Sequence, residues 1–157
     1  MTALAPGQPV PPFSAASTGG EIFSSDTFRG GWTVLYFYPK DNTPGCTQEA
    51  QDFNSLKGEF EAANARVVGI SRDSLKSHDN FQCKYGLGFP LLSDPDETLC
   101  SLFDVIRMKN MYGKQVRGIE RSTFLIDPDG CLAREWRKVS VKGHAADVLA
   151  TLKQFQA

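Results

Sequence analysis

Two apolar periods alternate along the chain. From Trp32 to Tyr38 the residues are β-branched or aromatic on both faces, the pattern of a strand buried on both sides, and Pro39 ends it. The period then lengthens. Glu49, Ala50, Phe53, Leu56 and Phe60 recur at helical spacing and predict a helix over about residues 44 to 62, with Thr43 a candidate N-cap and Pro44 at the first helical position. A second buried strand, Arg66 to Ser71, carries Val67, Val68 and Ile70; an Asp73/Ser74 cap and a helix to Tyr85 follow, stopped by Gly86. Phe89 to Leu92 is a third short strand. Asp94-Pro95-Asp96 opens a helix from Glu97 to Asp104 with Leu99, Leu102 and Phe103 as its apolar face. Ile119 to Ile126 and Cys131 to Arg137 read as strands joined by the turn Asp127-Pro128-Asp129-Gly130, a hairpin. A last helix runs from about Gly143 to Phe155, its inner stripe marked by Ala146, Leu149 and Leu152 or Lys153. Residues 1 to 21, with four of the nine prolines, form an irregular lead-in with a short strand pair nearby.

Strand and helix alternation over the first two thirds demands parallel pairing, and the hairpin adds antiparallel neighbours. The expectation is an α/β fold, a mixed sheet with helices on both faces, ending in the hairpin plus a helix. At 157 residues the chain is one domain, residues 1 to 157, and roughly 70% of the unfolded chain's surface would be buried without a disulfide scaffold. Seventeen Lys plus Arg against 18 Asp plus Glu give a net charge of −1 and no basic stripe, which argues against nucleic-acid and anionic-membrane partners. The longest apolar run, Val34 to Tyr38, is far short of the about 20 residues that span a bilayer, and the start of the chain has no secretory pattern. A cytoplasmic location is the expectation, and no long apolar tail suggests a dimer, so a monomer is expected.

Cysteines at 46, 83, 100 and 131 leave gaps of 37, 17 and 31 residues, none of them the close pair that a zinc ribbon or a Cys-x-x-Cys site needs. His78 and His144 stand outside any paired spacing, so no metal site is expected. The loop Pro39 to Cys46 leaves the first buried strand at the sheet edge where α/β folds bind ligands. With Thr43 as cap, Cys46 takes the third helical position, near free backbone N–H groups and the positive end of the helix dipole, both of which favour a thiolate. A small residue packed under the helix start is the alternative. Arg121 lies in the strand Arg121 to Ile126 of an otherwise apolar sheet, where a guanidinium is costly unless it meets an anion; either a thiolate and a polarised substrate oxygen, or Glu120 or Glu49, would serve.

The stretch Pro39-Lys40-Asp41-Asn42-Thr43-Pro44-Gly45-Cys46-Thr47-Gln48-Glu49 resembles the active-site motif of the peroxiredoxins, Pro-x-x-x-Thr-x-x-Cys. Tyr36 to Pro39, Gly69 to Ser74, Phe89 to Asp94 and Arg121 to Asp127 extend the resemblance over nearly the whole chain, toward the branch called bacterioferritin comigratory protein or peroxiredoxin Q. The resemblance implies a thioredoxin-like fold and thiol-dependent reduction of hydrogen peroxide and organic hydroperoxides, with no metal, haem or other cofactor. It assigns Cys46 as the peroxidatic nucleophile. Thr43 would orient the peroxide, Arg121 and the backbone N–H at Cys46, beside Gly45, would hold its oxygens, and Pro39 would shield the sulfur. Glu49 would support Arg121, or be an ordinary helix carboxylate.

Members of this branch often carry the resolving cysteine five residues after the first, where this chain has Gln51. Others place it on the next helix, which implies Cys83 as the partner in an intramolecular disulfide recycled by thioredoxin or a similar dithiol. Two separate helices would not bring the Cα atoms within about 7 Å while the first turn holding Cys46 stays wound, so local unwinding of that turn is implied, and Gly45 weakens it by roughly 1 kcal/mol relative to Ala. Cys100 and Cys131 read as packing residues, as do Trp32 and Trp136, and His78 as a solvated helix residue. The competing readings are a peroxide sensor or thiol-disulfide relay without steady turnover, a one-cysteine peroxidase, and a binding scaffold with inert cysteines.

Overall fold

The computed structural model describes residues 4–157; the first part of the expected lead-in, Met1 to Ala3, lies outside them. The described strands are β1 (Ser14–Ser17), β2 (Glu21–Ser24), β3 (Trp32–Phe37), β4 (Ala65–Ser71), β5 (Leu91–Ser93), β6 (Ile106–Met111), β7 (Lys114–Ile119), β8 (Ser122–Ile126) and β9 (Leu132–Trp136). The helices are α1 (Pro44–Ser55), α2 (Lys57–Ala62), α3 (Leu75–Tyr85), α4 (Thr98–Leu102) and α5 (His144–Gln156). Seven strands form one mixed sheet in the order β2-β1-β5-β4-β3-β8-β9, parallel across β3, β4 and β5 and antiparallel elsewhere. This is the thioredoxin-like fold, with helices on both faces.

Alternation along β3 divides the core. Val34, Tyr36 and Tyr38 face a layer built by α1, α2, α3 and α5, where Phe53, Phe60, Phe81 and Leu149 are buried. Leu35 and Phe37 face the other layer with Leu99, Phe103 and Phe124. Both faces of the central strand are therefore dry, which explains its unbroken apolar run. Among the described residues, no helix is long and apolar enough to cross a membrane.

Four sequence expectations need correction. The helix expected over 44 to 62 breaks at Leu56 (φ −97°, ψ 2°), whose N–H bonds the Phe53 carbonyl while its own carbonyl takes Glu59 and Phe60. The change of axis seats Phe60 against Phe53, ring centroids 6.1 Å apart. The helix expected from Glu97 starts at Thr98 because the Asp94 carboxylate accepts from the N–H groups of Leu99 and Cys100 (3.0 and 2.8 Å). On α5 the inner stripe is Ala145, Val148, Leu149 and Leu152, with Ala146 and Lys153 exposed. The strand expected from Ile119 begins at Ser122. Ile119 ends a separate two-stranded ribbon, β6–β7, which turns through Tyr112 (φ 54°) and Gly113 (φ 80°). Much of that ribbon is exposed, so it carries no alternating apolar signal to read.

Candidate active site

The exit of β3 leads through residues 38–43 to the start of α1. Thr43 occupies the N-cap position with extended backbone (φ −90°, ψ 152°). It is the N-cap as expected, but its side chain makes no cap bond; its hydroxyl donates instead to the Lys40 carbonyl (2.9 Å), tightening the loop. Cys46 follows at the third helical position and is 1% exposed. Glu49, three residues on and on the same side of α1, is equally buried.

Arg121 enters from just before β8 and joins the two. Its Nη2 donates to Cys46 Sγ at 3.4 Å and its Nη1 to Glu49 Oε1 at 2.6 Å. The choice left open between a sulfur partner and a carboxylate partner is therefore resolved as both. A Cβ on Gly45 would lie 3.2 Å from Arg121 Nη2, so the guanidinium approaches the first turn where a side chain would crowd it. Pro39, Thr43 and Gly45 are each half-buried.

Electrostatics follow from burial and this one cation. Burial pushes Glu49 up to about 7 against the pull of Arg121. Burial disfavours the Arg121 charge, but Glu49 and Cys46 more than offset it and hold the guanidinium above its ordinary range. Tyr36, beneath the site, is raised well above the usual phenol range, first by burial and then by the negative charge of Glu49 and Cys46. Among the described residues, Tyr36 Oη and Glu49 Oε2 are buried without a hydrogen-bond partner. The arrangement holds a buried sulfur against a permanent cation at a helix N-terminus, a setting that stabilises negative charge on sulfur and on an oxygen brought beside it.

The remaining thiols are apart from this group. Cys83 is exposed on α3 and, like the other three, free; the preceding Gln82 holds that helix by donating to Thr18 Oγ1 and the Phe89 carbonyl (3.1 and 2.9 Å). Cys100 is buried, and burial together with Asp94 pushes its thiol far up. Cys131 is half-buried and pairs through its backbone with Pro9.

His78 is the site's main surprise. Expected in solvent, it is fully buried, with Nδ1 2.8 Å from Asp41 Oδ2 and Nε2 2.9 Å from the Leu92 carbonyl. Asp41, on the loop that carries Thr43, also accepts from Tyr38 Oη (2.6 Å) and Ser77 Oγ (2.8 Å). An Asp and a His 37 positions apart offer no local pattern. Asp41, Asp73 and His78 could together hold a metal ion by proximity, yet each is engaged in these bonds or in those that Asp73 Oδ2 accepts from Asp41 N and Ser71 Oγ (3.0 and 2.5 Å). A hydrogen-bonded cluster accounts for all three.

A thioredoxin-like fold with a buried, arginine-held cysteine at the head of its first long helix defines a thiol peroxidase. Residues 6–134 match the AhpC/TSA family. The chain is 60% identical over 136 residues to the peroxiredoxin Bcp of Xanthomonas campestris pv. campestris, covering 87% of this chain and 85% of that one. It is 47% identical over 149 residues to Bcp of Bacillus subtilis, covering 95% of each. Among solved structures, a Xanthomonas campestris peroxiredoxin Q superposes with a TM-score of 0.86 at 58% identity over 90% of each chain. A Xylella fastidiosa PrxQ mutant does so at 0.94 and 45% over the full length of both. The chain belongs to the AhpC/TSA family, as a peroxiredoxin of the Bcp or peroxiredoxin Q branch.

Proposed function

We propose that the chain reduces hydrogen peroxide and organic hydroperoxides by an atypical two-cysteine cycle, with Cys46 as nucleophile, Cys83 as resolving thiol and a thioredoxin-type dithiol as reductant. The contact of Arg121 with both Cys46 Sγ and Glu49 carries this reading. The Cys46 thiolate attacks one peroxide oxygen; an S–O bond forms, the O–O bond breaks, and the leaving oxygen takes a proton and departs as water or alcohol. Sulfur is oxidised by two electrons to the sulfenic acid. Arg121 and the N–H groups of the first turn stabilise charge on the peroxide oxygens, Thr43 orients the peroxide by its hydroxyl, and Pro39 screens the sulfur from water.

The Cys83 thiolate then attacks the Cys46 sulfur, forming S–S and expelling the hydroxyl as water. Cys83 is exposed on α3 while Cys46 is buried at the start of α1, so closure requires local unwinding of the first turn of α1. A dithiol reductant restores both thiols through a mixed disulfide and leaves as its own disulfide. Mass spectrometry of wild type, Cys46→Ser and Cys83→Ser after limiting peroxide tests the cycle. A Cys46–Cys83 bond in wild type, no oxidation in Cys46→Ser, and Cys46 sulfinic acid in Cys83→Ser are expected. Cys46 stalled as an oxyacid in wild type with Cys83 free would reject the resolving role, and a single turnover without steady consumption in the presence of thioredoxin and its reductase would favour a sensor.

A further inference from the structure

The ribbon β6–β7 has no part in the chemistry above, yet it carries four of the six exposed large hydrophobic side chains among the described residues: Met108, Met111, Tyr112 and Val116. Tyr112, at its tip, is 100% exposed. Residues 106 to 119 also contain four cations and no carboxylate, in a chain whose net charge is −1. Two of these cations are neutralised at the ribbon's base, Arg107 by Asp104 and Arg117 by Glu97. Lys109 and Lys114 have no carboxylate partner among the described residues.

Register places the unneutralised charges together. Lys109 pairs across the ribbon with Val116, and Met111 with Lys114. Cross-strand partners share a face and so do residues two apart, so these four side chains form one ladder of alternating cation and apolar group, capped by Tyr112. The ladder ends at the active site. Lys109 Nζ donates to the Ile119 carbonyl, two residues before the Arg121 that touches Cys46, and its ammonium lies below the ordinary range through burial and then the Arg121 charge.

We propose that this face of the ribbon, Lys109, Met111, Tyr112, Lys114 and Val116, is the docking surface for the protein dithiol that reduces the oxidised enzyme, a partner presenting carboxylates around an apolar patch beside its thiols. The inference rests on the cycle proposed above only in needing a protein reductant. Charge complementarity selects the occupant. A second copy meeting this patch by two-fold symmetry would gather the Lys109 and Lys114 of both copies in one interface with no carboxylate to meet them, whereas an acidic partner supplies carboxylates to exposed Lys114 and half-buried Lys109 and covers the apolar groups between them. A small dithiol would reach the sulfur without this surface.

Lys114→Glu and Tyr112→Ser alter exposed turn positions outside the catalytic group. Each variant and the wild type are oxidised with one equivalent of peroxide, the product is mapped by mass, and its reduction is timed with a thioredoxin of net negative charge and, separately, with dithiothreitol. Lys114→Glu should lower the thioredoxin rate constant by about tenfold and weaken its dependence on salt, and Tyr112→Ser should lower it by a similar factor. Rates with dithiothreitol and with peroxide should stay unchanged. Equal rates with thioredoxin in variants and wild type, or equal losses with both reductants, would overturn the proposal. So would binding to phosphatidylserine vesicles, or a dimer in sedimentation, that the variants abolish while thioredoxin kinetics hold. The mapping separates the two readings: an oxidised form other than the Cys46–Cys83 bond counts against the cycle, while the comparison of reductants on that form still decides the surface.

Discussion

Arg121 Nη2 stands 3.4 Å from the Cys46 sulfur across 75 positions of sequence, and the other amine of the same guanidinium holds Glu49 at 2.6 Å. One cation thus serves two buried acids, Cys46 and Glu49. Its planar fork fits that task and a lysine ammonium does not, since a single nitrogen cannot bond both partners in these directions.

Arg121→Lys is therefore expected to keep the charge and lose the geometry. Stopped-flow measurement of Cys46 oxidation should show a fall of about 10²-fold, the scale of removing one preorganised donor from a site of developing charge. A fall of less than threefold would mean that charge alone suffices.

Glu49 gives a stability profile of unusual sign. Burial raises its folded pKa from 4.5 to about 7, so between those values the native state binds more protons than the unfolded chain, and stability drops as pH rises through the window. Glu49→Gln mimics the protonated acid and should be free of this loss. Urea denaturation at pH 5 and pH 8 should show the wild type losing on the order of 3 kcal/mol relative to the variant; parallel profiles would place the ionised carboxylate at no disadvantage.

Much of this was legible in the sequence because it is local. The run Trp32 to Tyr38 carries its own period, and Thr43, Pro44 and Cys46 sit within one turn of each other. The Arg121 contact was legible only as a cost, a guanidinium in an apolar sheet that needed an anion. The β6–β7 ribbon escaped because solvent reaches most of it and leaves no alternation, and its turn residues Tyr112-Gly113 are not a strong hairpin signal. His78 escaped for the opposite reason: its neighbours Ser77 and Asp79 are polar, and only the long-range partners Asp41 and Leu92 reveal that it is buried.

Those partners make His78 a stability determinant. Its two ring nitrogens lie against the Asp41 carboxylate and the Leu92 carbonyl, so the buried ring ties the loop after β3 to β5. His78→Leu would strip a buried carboxylate of one donor and should cost about 3 kcal/mol by urea denaturation at neutral pH. Burial raises the pKa of Asp41, but bonds from His78, Tyr38 and Ser77 together with the His78 charge outweigh it and hold the carboxyl below its ordinary 3.8. A depressed folded pKa contributes stability above the unfolded value, lost as pH falls below it. The gap between wild type and variant should consequently narrow below about pH 4; a gap constant down to pH 3 would assign the cost to packing alone.

Gly45 places two demands in conflict. Alanine there would favour the first turn of α1 by roughly 1 kcal/mol through helix propensity, yet its Cβ would stand 3.2 Å from Arg121 Nη2. That contact can be relieved only by shifting the guanidinium a few tenths of an ångström, away from the sulfur it holds at 3.4 Å. Gly45→Ala should therefore slow Cys46 oxidation, and the stiffer turn should slow disulfide closure as well, because closure needs that turn unwound. The two effects separate in one titration. Oxidation measured at low peroxide reports the displaced arginine, while the sulfinic acid that accumulates at high peroxide reports the delayed closure, since in the proposed cycle over-oxidation competes with Cys83 for the same sulfenic acid. An increase in sulfinic acid with unchanged initial oxidation would mean that Arg121 accommodates the methyl group and that only the opening of the turn is opposed. The reverse pattern would mean that the glycine serves the close approach of the cation rather than the flexibility of the helix.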